Sequence, residues 1–212
     1  MQHYWAAAGA TKTFYCPFDL DLFKIHVSAN APILDYGCGY GRLLKVLAEA
    51  GYTNLTGVDA SPVMVERARE AVPQTDIRRV EPSEVPFAPE SFDAVILYSV
   101  LSSVLEPEGQ PQLINDLQRA LRAGGILYFH DFIVQTRNVE RNRERYALGA
   151  QHYAPNVFVD PTDKAAFQHF TEARLTELFG SFSCVTSRHV PTRSMNGSFH
   201  DAFQLFLRKD DT

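Results

Sequence analysis

Short runs of apolar residues alternate with amphipathic segments along the first two thirds of the chain. The runs predict strands at 33–36, 55–59, 77–80, 92–98 and 125–134. Between them, apolar residues recur three and four positions apart, which is typical of helices that bury one face. Strands that alternate with helices usually form a parallel sheet, so the pattern predicts an α/β fold.

The pattern changes after the fifth predicted strand. Residues from about 135 to 164 mix charges, aromatic rings and prolines with little periodicity. A helix is predicted at 170–179, followed by strands at 182–190 and 199–208, and Asn196-Gly197 between these strands is a strong hairpin signal. We therefore expect a Rossmann-like doubly wound sheet of seven strands, mostly parallel with a C-terminal antiparallel hairpin and with helices on both faces.

Length and composition narrow the class of protein. The 212 residues suit a single domain, which we predict over 1–212 with 1–30 as an N-terminal cap segment and 135–168 as an insertion or lid. The net charge of −5 argues against strong binding to nucleic acid. Three cysteines without a C-x-x-C spacing argue against a zinc site or a disulfide framework and fit a reducing cytosol.

The sequence also bears on location and assembly. It has no apolar run of the roughly 18 residues needed to cross a bilayer. Its start has no cationic segment of the kind that begins a secretory signal. We therefore expect a cytoplasmic protein without membrane contact or a bound metal, as a monomer or a homodimer.

The candidate cofactor site begins with Asp35-Tyr36-Gly37-Cys38-Gly39-Tyr40-Gly41, between the first predicted strand and the first helix. Glycines at alternate positions let a ligand approach the backbone closely, and the following helix directs unpaired N–H groups at the same space. About twenty residues later Asp59 ends the second predicted strand, where a carboxylate can bind a ribose diol. This combination predicts a cofactor that contains a nucleoside.

The spacing of the glycines distinguishes between cofactors. Dinucleotide sites usually have G-x-G-x-x-G, where the helix N-terminus meets a pyrophosphate, whereas this chain has G-x-G-x-G. The carboxylate of Asp35 would repel a pyrophosphate but suits the ammonium and sulfonium groups of S-adenosylmethionine. We therefore predict S-adenosylmethionine as the cofactor and S-adenosylhomocysteine as its product.

These residues and four further motifs resemble the class I S-adenosylmethionine-dependent methyltransferase family, in its small-molecule type. The matching segments are Ile33–Arg42, Gly57–Ser61, Val85–Phe87, Ser91–Val95 and Leu121–Gly125. Many amino-methylases of nucleic acid in this family have Asn/Asp-Pro-Pro-Tyr after the fourth strand. This chain has Tyr98-Ser99-Val100-Leu101 there instead, which disfavours a DNA substrate.

The resemblance implies a set of cofactor contacts. Asp35, Gly37 and Gly39 would contact the methionine part, and Asp59 the ribose hydroxyls. Residues 60, 64 and 81–83 would lie near the adenine, and residues 98 and 99 would face the methyl group. The complete predicted set is Asp35, Gly37, Cys38, Gly39, Gly41, Asp59, Ala60, Met64, Glu81, Pro82, Ser83, Tyr98 and Ser99.

Candidate catalytic residues follow from what methyl transfer requires. An activated methyl group needs a positioned nucleophile, and a base only if the acceptor must lose a proton. His130 and Asp131 end the fifth predicted strand at the ligand-bearing edge of the sheet, and adjacent strand residues point to opposite faces. These two and His169, before the last predicted helix, are the candidates; a solvent-exposed loop position is the alternative for His169.

Aromatic and histidine side chains near the N-terminus and in the insertion are candidates for the acceptor wall. They are Tyr4, Trp5, Phe14, Tyr146 and His152, and a hydrophobic cap packed on the sheet is the alternative. The arginines between 137 and 145 either form a solvated helix face or belong to a lid that meets an acidic acceptor. Both segments are compact, so we expect a small acceptor rather than a macromolecule.

The sequence thus predicts an enzyme that transfers a methyl group to O, N or S of a small molecule by direct displacement. Two alternatives stay open: an NAD(P)-dependent oxidoreductase on a similar fold, and a catalytically silent module that binds S-adenosylmethionine. Methylation of rRNA or tRNA is disfavoured by the acidic balance of the chain.

Overall fold

The computed structural model describes residues 4–5, 9–106, 108–136, 139–161, 164–193 and 198–211. The helices are α1 (Leu20–His26), α2 (Arg42–Glu49), α3 (Pro62–Ala71), α4 (Gly109–Ala120), α5 (Val139–His152) and α6 (Glu172–Leu178), with a 3₁₀ turn at Leu101–Ser103. The strands are β1 (Ile33–Tyr36), β2 (Leu55–Asp59), β3 (Asp76–Arg79), β4 (Phe92–Tyr98), β5 (Leu121–Phe132), β6 (Val157–Val159), β7 (Ala166–Gln168), β8 (Phe182–Arg193) and β9 (Phe199–Lys209).

Seven strands form one sheet in the order β3-β2-β1-β4-β5-β9-β8. Strands β1 to β5 run parallel to one another, whereas β9 pairs with both β5 and β8 in the antiparallel orientation. The predicted fold is confirmed. The chain order reverses between β1 and β4, and sheets of this kind bind ligands beyond the carboxyl ends of the strands at that point.

The predicted start of β5 was wrong, although most other strand boundaries agree within one or a few residues. Gly124 and Gly125 lie inside β5 rather than at the end of α4, because Leu121 already pairs with Phe92. Gly124 has a φ of +69°, and the register of the two strands shifts in this region. The glycines therefore allow an irregularity within the strand. The predicted Asn196-Gly197 turn lies outside the described residues.

Both faces of the sheet are buried, which explains why its central strands are apolar at nearly every position. Leu34 and Leu97 belong to the core shared with α4 and α6. Ile33 and Ile96 belong to the core on the other face, which includes residues of α1, α2 and α3. Adjacent strand residues thus pack against helices on opposite faces of the sheet. Helices on both faces therefore fix the position of its carboxyl edge.

Residues 135–168 contain α5 and a two-stranded ribbon of β6 and β7. A Cβ on Gly149 would lie 1.8 Å from a backbone oxygen of β6, so the helix and the ribbon pack closely. Arg145 is half-buried, 3.8 Å from a carboxylate oxygen of Asp160 and 4.9 Å from the ring centre of Phe158. This arginine therefore stabilises the segment itself, unlike a residue on a solvated face.

Two further observations concern only the described part of the chain. No helix in it is long and apolar enough to cross a membrane. No group of three or more His, Cys, Asp or Glu side chains in those ranges is arranged to hold a metal ion. The division into a cap at 1–30, a lid at 135–168 and one domain over 1–212 stays a prediction.

Candidate functional site

A cavity of about 890 Å³ lies at the carboxyl ends of β1, β2 and β4. Its volume falls in the upper part of the range for small-molecule sites. The turn after β1 and the end of β2 form one part of its lining, which we call the glycine-loop end. The N-terminal segment and residues 98–106 form the part that we call the acceptor end. The two parts meet where Phe14 lies beside Gly39 and Val100 lies beside Gly37.

The glycine loop, residues 37–41, has a left-handed backbone at each of its three glycines. The φ angles are +73° at Gly37, +55° at Gly39 and +79° at Gly41, a region that other residues rarely adopt. A Cβ on Gly37 would lie 2.3 Å from a methyl carbon of Val100. The loop therefore passes against the chain that follows β4, and only glycine permits this approach.

Asp59 connects the glycine loop to β2. Its Oδ2 accepts a hydrogen bond from the Gly39 N–H at 2.9 Å, and its Oδ1 accepts one from the Ser61 N–H at 2.8 Å. Each carboxylate oxygen can accept a second hydrogen bond, and Asp59 lines the cavity. Burial raises the pKa of Asp59, and the backbone hydrogen bonds oppose the shift. The geometry fits recognition of a ribose diol.

Asp35 lines the cavity with a carboxyl oxygen that has no hydrogen-bond partner in the described chain. The residue is 2% exposed, and this buried oxygen is Oδ2. Burial raises the pKa of Asp35 to about 7, although the nearby Arg42 acts in the opposite direction. An orphaned carboxylate oxygen needs a cationic or N–H donor, so the residues present fit the ammonium group of S-adenosylmethionine.

Most of the predicted cofactor contacts line the cavity. They are Asp35, Gly37, Cys38, Gly39, Asp59, Ala60, Met64, Glu81, Pro82, Ser83, Tyr98 and Ser99. Gly41 is the exception: it precedes α2, and a Cβ on it would lie 3.3 Å from Ala68 of α3. The close packing of α3 against the start of α2 therefore explains the glycine at position 41. The contact of each lining residue with the cofactor stays a prediction.

Of the predicted acceptor wall, Trp5 and Phe14 line the cavity. The Phe14 ring stacks on Tyr40 with centroids 5.6 Å apart, and the Phe14 N–H donates to the Tyr40 hydroxyl at 3.1 Å. The N-terminal segment is thereby fixed over the glycine loop. Tyr4 does not line the cavity; its ring packs against Trp5 and Phe167 instead.

The histidine candidates of the insertion lie away from the cavity. His169 is 3% exposed, stacks on Phe158 and lies 2.8 Å from the Tyr146 hydroxyl, which accepts from the Gln135 N–H. Burial lowers the pKa of His169 to about 3. Buried His169 and half-buried Tyr146 are thus a hydrogen-bonded pair, and His152 is exposed. None of the three lines the cavity, and their predicted roles stay untested.

His130 and Asp131 are both buried at the end of β5. Asp131 accepts hydrogen bonds from the backbone N–H groups of Ser102 and Phe132, each at 2.9 Å, and burial raises its pKa to about 7. It thereby fixes the 3₁₀ turn after β4. The His130 ring stacks on Tyr98. Neither residue lines the cavity, and both remain candidate catalytic residues by prediction only.

Sequence reasoning missed several residues that line the cavity, among them Cys16 and Arg42. Arg42 is half-buried and lies directly after the glycine loop, and its position next to Gly41 was a usable signal. Cys16 lies in a segment without a motif, so no signal in the sequence pointed to it. Tyr153 also lines the cavity and directly follows His152 in the insertion, whose aromatic side chains were candidates for the acceptor wall.

Comparisons with known proteins agree with this site. A family model described as a methyltransferase domain matches residues 34–129. A ubiquinone biosynthesis O-methyltransferase of Xanthomonas oryzae pv. oryzae is 30% identical over 193 residues, which covers 84% of this chain and 78% of that protein. A demethylmenaquinone methyltransferase of Tropheryma whipplei is 30% identical over 150 residues, and the match covers 69% of this chain but only 60% of that relative's length.

A solved structure supports the same fold. A SAM-dependent methyltransferase of Methanosarcina mazei superimposes with a TM-score of 0.83 at 24% identity, covering 92% of this chain and 100% of that one. Together with the glycine loop and Asp59, these matches disfavour the oxidoreductase alternative. The chain belongs to the class I S-adenosylmethionine-dependent methyltransferases, whose cofactor is S-adenosylmethionine.

Proposed function

We propose that this protein transfers the methyl group of S-adenosylmethionine to a ring hydroxyl of a small, quinone-type aromatic acceptor by direct displacement. The observation that carries the proposal is that one cavity is lined both by Asp35 and Asp59 and by the aromatic side chains of Trp5, Phe14 and Tyr153.

The choice of acceptor class rests on two arguments. The relatives are named for demethylmenaquinone methylation and for O-methylation in ubiquinone biosynthesis, and both names refer to quinones. Flat aromatic side chains such as Trp5 and Phe14 also favour a planar ring, because aromatic pairs gain stabilisation beyond the area that they bury. The O-methylation in the name of the Xanthomonas relative favours a ring hydroxyl over an amine or a thiol.

The residues of this chain act by binding and orienting. When bound, the cofactor supplies an activated methyl group. Asp35 would hold its ammonium group, and the remaining lone pairs of Asp59 would hold the ribose hydroxyls. The side chains of Trp5, Phe14 and Tyr153 would hold the acceptor ring. The ring oxygen would then approach the methyl carbon from the side opposite the sulfur. Such alignment accounts for much of the rate of a displacement reaction.

Two measurements test this function. S-adenosylhomocysteine at about 100 times its Kd should raise the unfolding midpoint by about 5–11 °C, whereas NADH should not. The protein is then incubated with S-adenosylmethionine and matched hydroxyl, amino and thiol derivatives of one aromatic ring, and the products are identified by mass spectrometry. Asp59→Ala is the binding-deficient control, with Glu70→Ala as a control at an exposed carboxylate that does not line the cavity.

The outcomes separate the alternatives. Methylation of the hydroxyl derivative supports the proposal. Methylation of only the amine or the thiol contradicts the choice of oxygen. Stabilisation by S-adenosylhomocysteine without any product favours the catalytically silent binding module.

A further inference from the structure

Ser99 has a strained backbone at the point where β4 meets the cavity. Its φ is +57° although it is not a glycine, and its N–H donates to the His130 carbonyl at 2.7 Å. Strained residues persist only where the surrounding structure holds them, and they cluster at functional sites.

The Ser99 hydroxyl lies between side chains from two distant parts of the chain. Its Oγ is 3.3 Å from Nδ1 of His130 and 3.3 Å from Sγ of Cys16. Ser99 and Cys16 both line the cavity, whereas His130 is fully buried behind them. The three groups form a hydrogen-bonded row that leads from the interior of the protein to the acceptor end.

The imidazole of His130 is neutral in this environment, because burial lowers its pKa to about 3. A neutral imidazole carries one proton. If the proton is on Nδ1, it can be donated to the Ser99 oxygen. If it is on Nε2, it is buried without an acceptor, since Nε2 has no hydrogen-bond partner in the described chain. Orphaned buried N–H groups are rare. The Nδ1–H tautomer is therefore favoured, and His130 donates to the oxygen of Ser99.

We propose that Ser99 donates its own O–H to the reacting oxygen of the acceptor, with His130 as the positioning residue that fixes Ser99 as a donor. The inference rests on the proposed function and deepens it. A row of donors that ends at the cavity stabilises an oxygen anion. The acceptor end therefore selects a ring hydroxyl in its ionised form and disfavours a cationic amine.

The chemistry balances without a protein base. The ring hydroxyl releases its proton to water as it binds, and Ser99 stabilises the resulting oxygen anion. A lone pair of that oxygen forms the new bond to the methyl carbon. The carbon–sulfur bond breaks, and its electron pair stays on sulfur, which becomes neutral. His130 and Ser99 keep their protons throughout, which agrees with the low basicity of the buried imidazole.

The test uses 4-nitrocatechol, whose ionised form has a distinct visible absorption band. The probe is titrated with base while bound to the protein that is saturated with S-adenosylhomocysteine. Ser99→Gly removes the hydroxyl and suits the left-handed backbone, so folding is retained. The apparent pKa of the bound probe should be lower in the parent than in Ser99→Gly by about one unit, since a hydrogen bond to a charged group is lost.

A matched control separates the hydroxyl from the backbone strain. Glu90 also has a φ of +57° but is exposed and does not line the cavity. Glu90→Gly relieves the same strain elsewhere and should leave the probe's pKa at the parental value. His130→Asn keeps a donor near the Nδ1 position and should retain most of the shift, whereas His130→Leu should lose it.

Two results would overturn the inference. One is an apparent pKa of the bound probe that is the same in the parent, Ser99→Gly and His130→Leu. The other is failure of the probe to bind a parent that has bound S-adenosylhomocysteine. If S-adenosylhomocysteine binds and ring hydroxyls are methylated, either result removes only the role of Ser99. Absence of methyl transfer to any ring hydroxyl would remove the proposed function as well.

Discussion

The two ends of the cavity are built in different ways. The glycine-loop end comes from one βαβ unit, in which Asp35, the loop and Asp59 lie within 25 residues of one another. The Gly39 N–H of the loop donates a hydrogen bond to the Asp59 carboxylate at 2.9 Å. The acceptor end combines Cys16, Ser99 and Tyr153, which are far apart in the sequence. Binding a common cofactor therefore depends on a local motif, whereas choosing an acceptor depends on how distant segments pack.

The largest expected effect tests the glycine-loop end. Gly37→Ala places a Cβ 2.3 Å from Val100 at a φ of +73°. The strain and the clash should together cost more than about 3 kcal/mol and weaken binding of S-adenosylhomocysteine by about 100-fold or more, measured by titration calorimetry. Gly51→Ala is the control, because Gly51 has a φ of +93° and nothing within 4 Å. It should lower stability slightly without changing affinity.

Asp35→Asn should weaken ligand binding without destabilising the ligand-free protein. Loss of the carboxylate should weaken binding of S-adenosylhomocysteine by about 10- to 100-fold, because a charge-assisted hydrogen bond to the ammonium group is lost. The parent should bind more tightly at pH 8 than at pH 6, since the pKa of Asp35 is about 7. Equal affinity of the parent at both pH values, or unchanged affinity in the variant, would contradict the assignment.

The same substitution should raise the stability of the ligand-free protein above neutral pH. The pKa of Asp35 rises from 3.8 to about 7 on folding, so the folded state binds more protons between these values. Its contribution to stability is therefore present below about pH 4 and is lost as the pH rises through about 7. Denaturant unfolding at pH 8 should show the Asp35→Asn variant to be more stable than the parent, with little difference at pH 4.

Tyr153→Ala should affect only the acceptor end. Tyr153 lines the cavity and is 54% exposed, and its loss should raise the KM for an aromatic acceptor by about 3- to 10-fold with the Kd for S-adenosylhomocysteine unchanged. Tyr15→Ala is the control, since Tyr15 is 56% exposed but does not line the cavity. An equal rise in KM in both variants would contradict a specific role for Tyr153, because any exposed tyrosine would then have the same effect.

The smallest expected effect belongs to Cys16. Thiols are weak hydrogen-bond partners, so Cys16→Ala should change kcat/KM by no more than about 2-fold and leave the apparent pKa of bound 4-nitrocatechol near the parental value. Cys184→Ala, an exposed thiol elsewhere, serves as the control. A large loss of activity in Cys16→Ala alone would show that the thiol, rather than Ser99, dominates the acceptor end.

The difference between the two ends also explains why the sequence predicted the glycine-loop end better than the acceptor end. Hydrophobic alternation and the glycine spacing identified the sheet, the loop and Asp59, because each depends on neighbouring residues. Cys16 carried no such signal, since its place at the cavity arises from packing of the N-terminal segment. The aromatic residues of the insertion indicated Tyr153 only as one ring among several. His169 and Tyr146 were predicted as site residues separately, and the sequence did not indicate that the Tyr146 hydroxyl lies 2.8 Å from the His169 ring. Such a contact depends on how α5 packs beside the residues before α6, which no local pattern reveals.

The proposed function is tested most directly by transfer of an isotopically labelled methyl group from S-adenosylmethionine to 4-nitrocatechol, followed by NMR of the product. We expect the label to appear as a methoxy group on a ring oxygen, and we expect Ser99→Gly to slow the transfer while Glu90→Gly does not. Binding of S-adenosylhomocysteine without transfer of the label to any ring hydroxyl, or transfer only to nitrogen or sulfur in a matched acceptor, would contradict it.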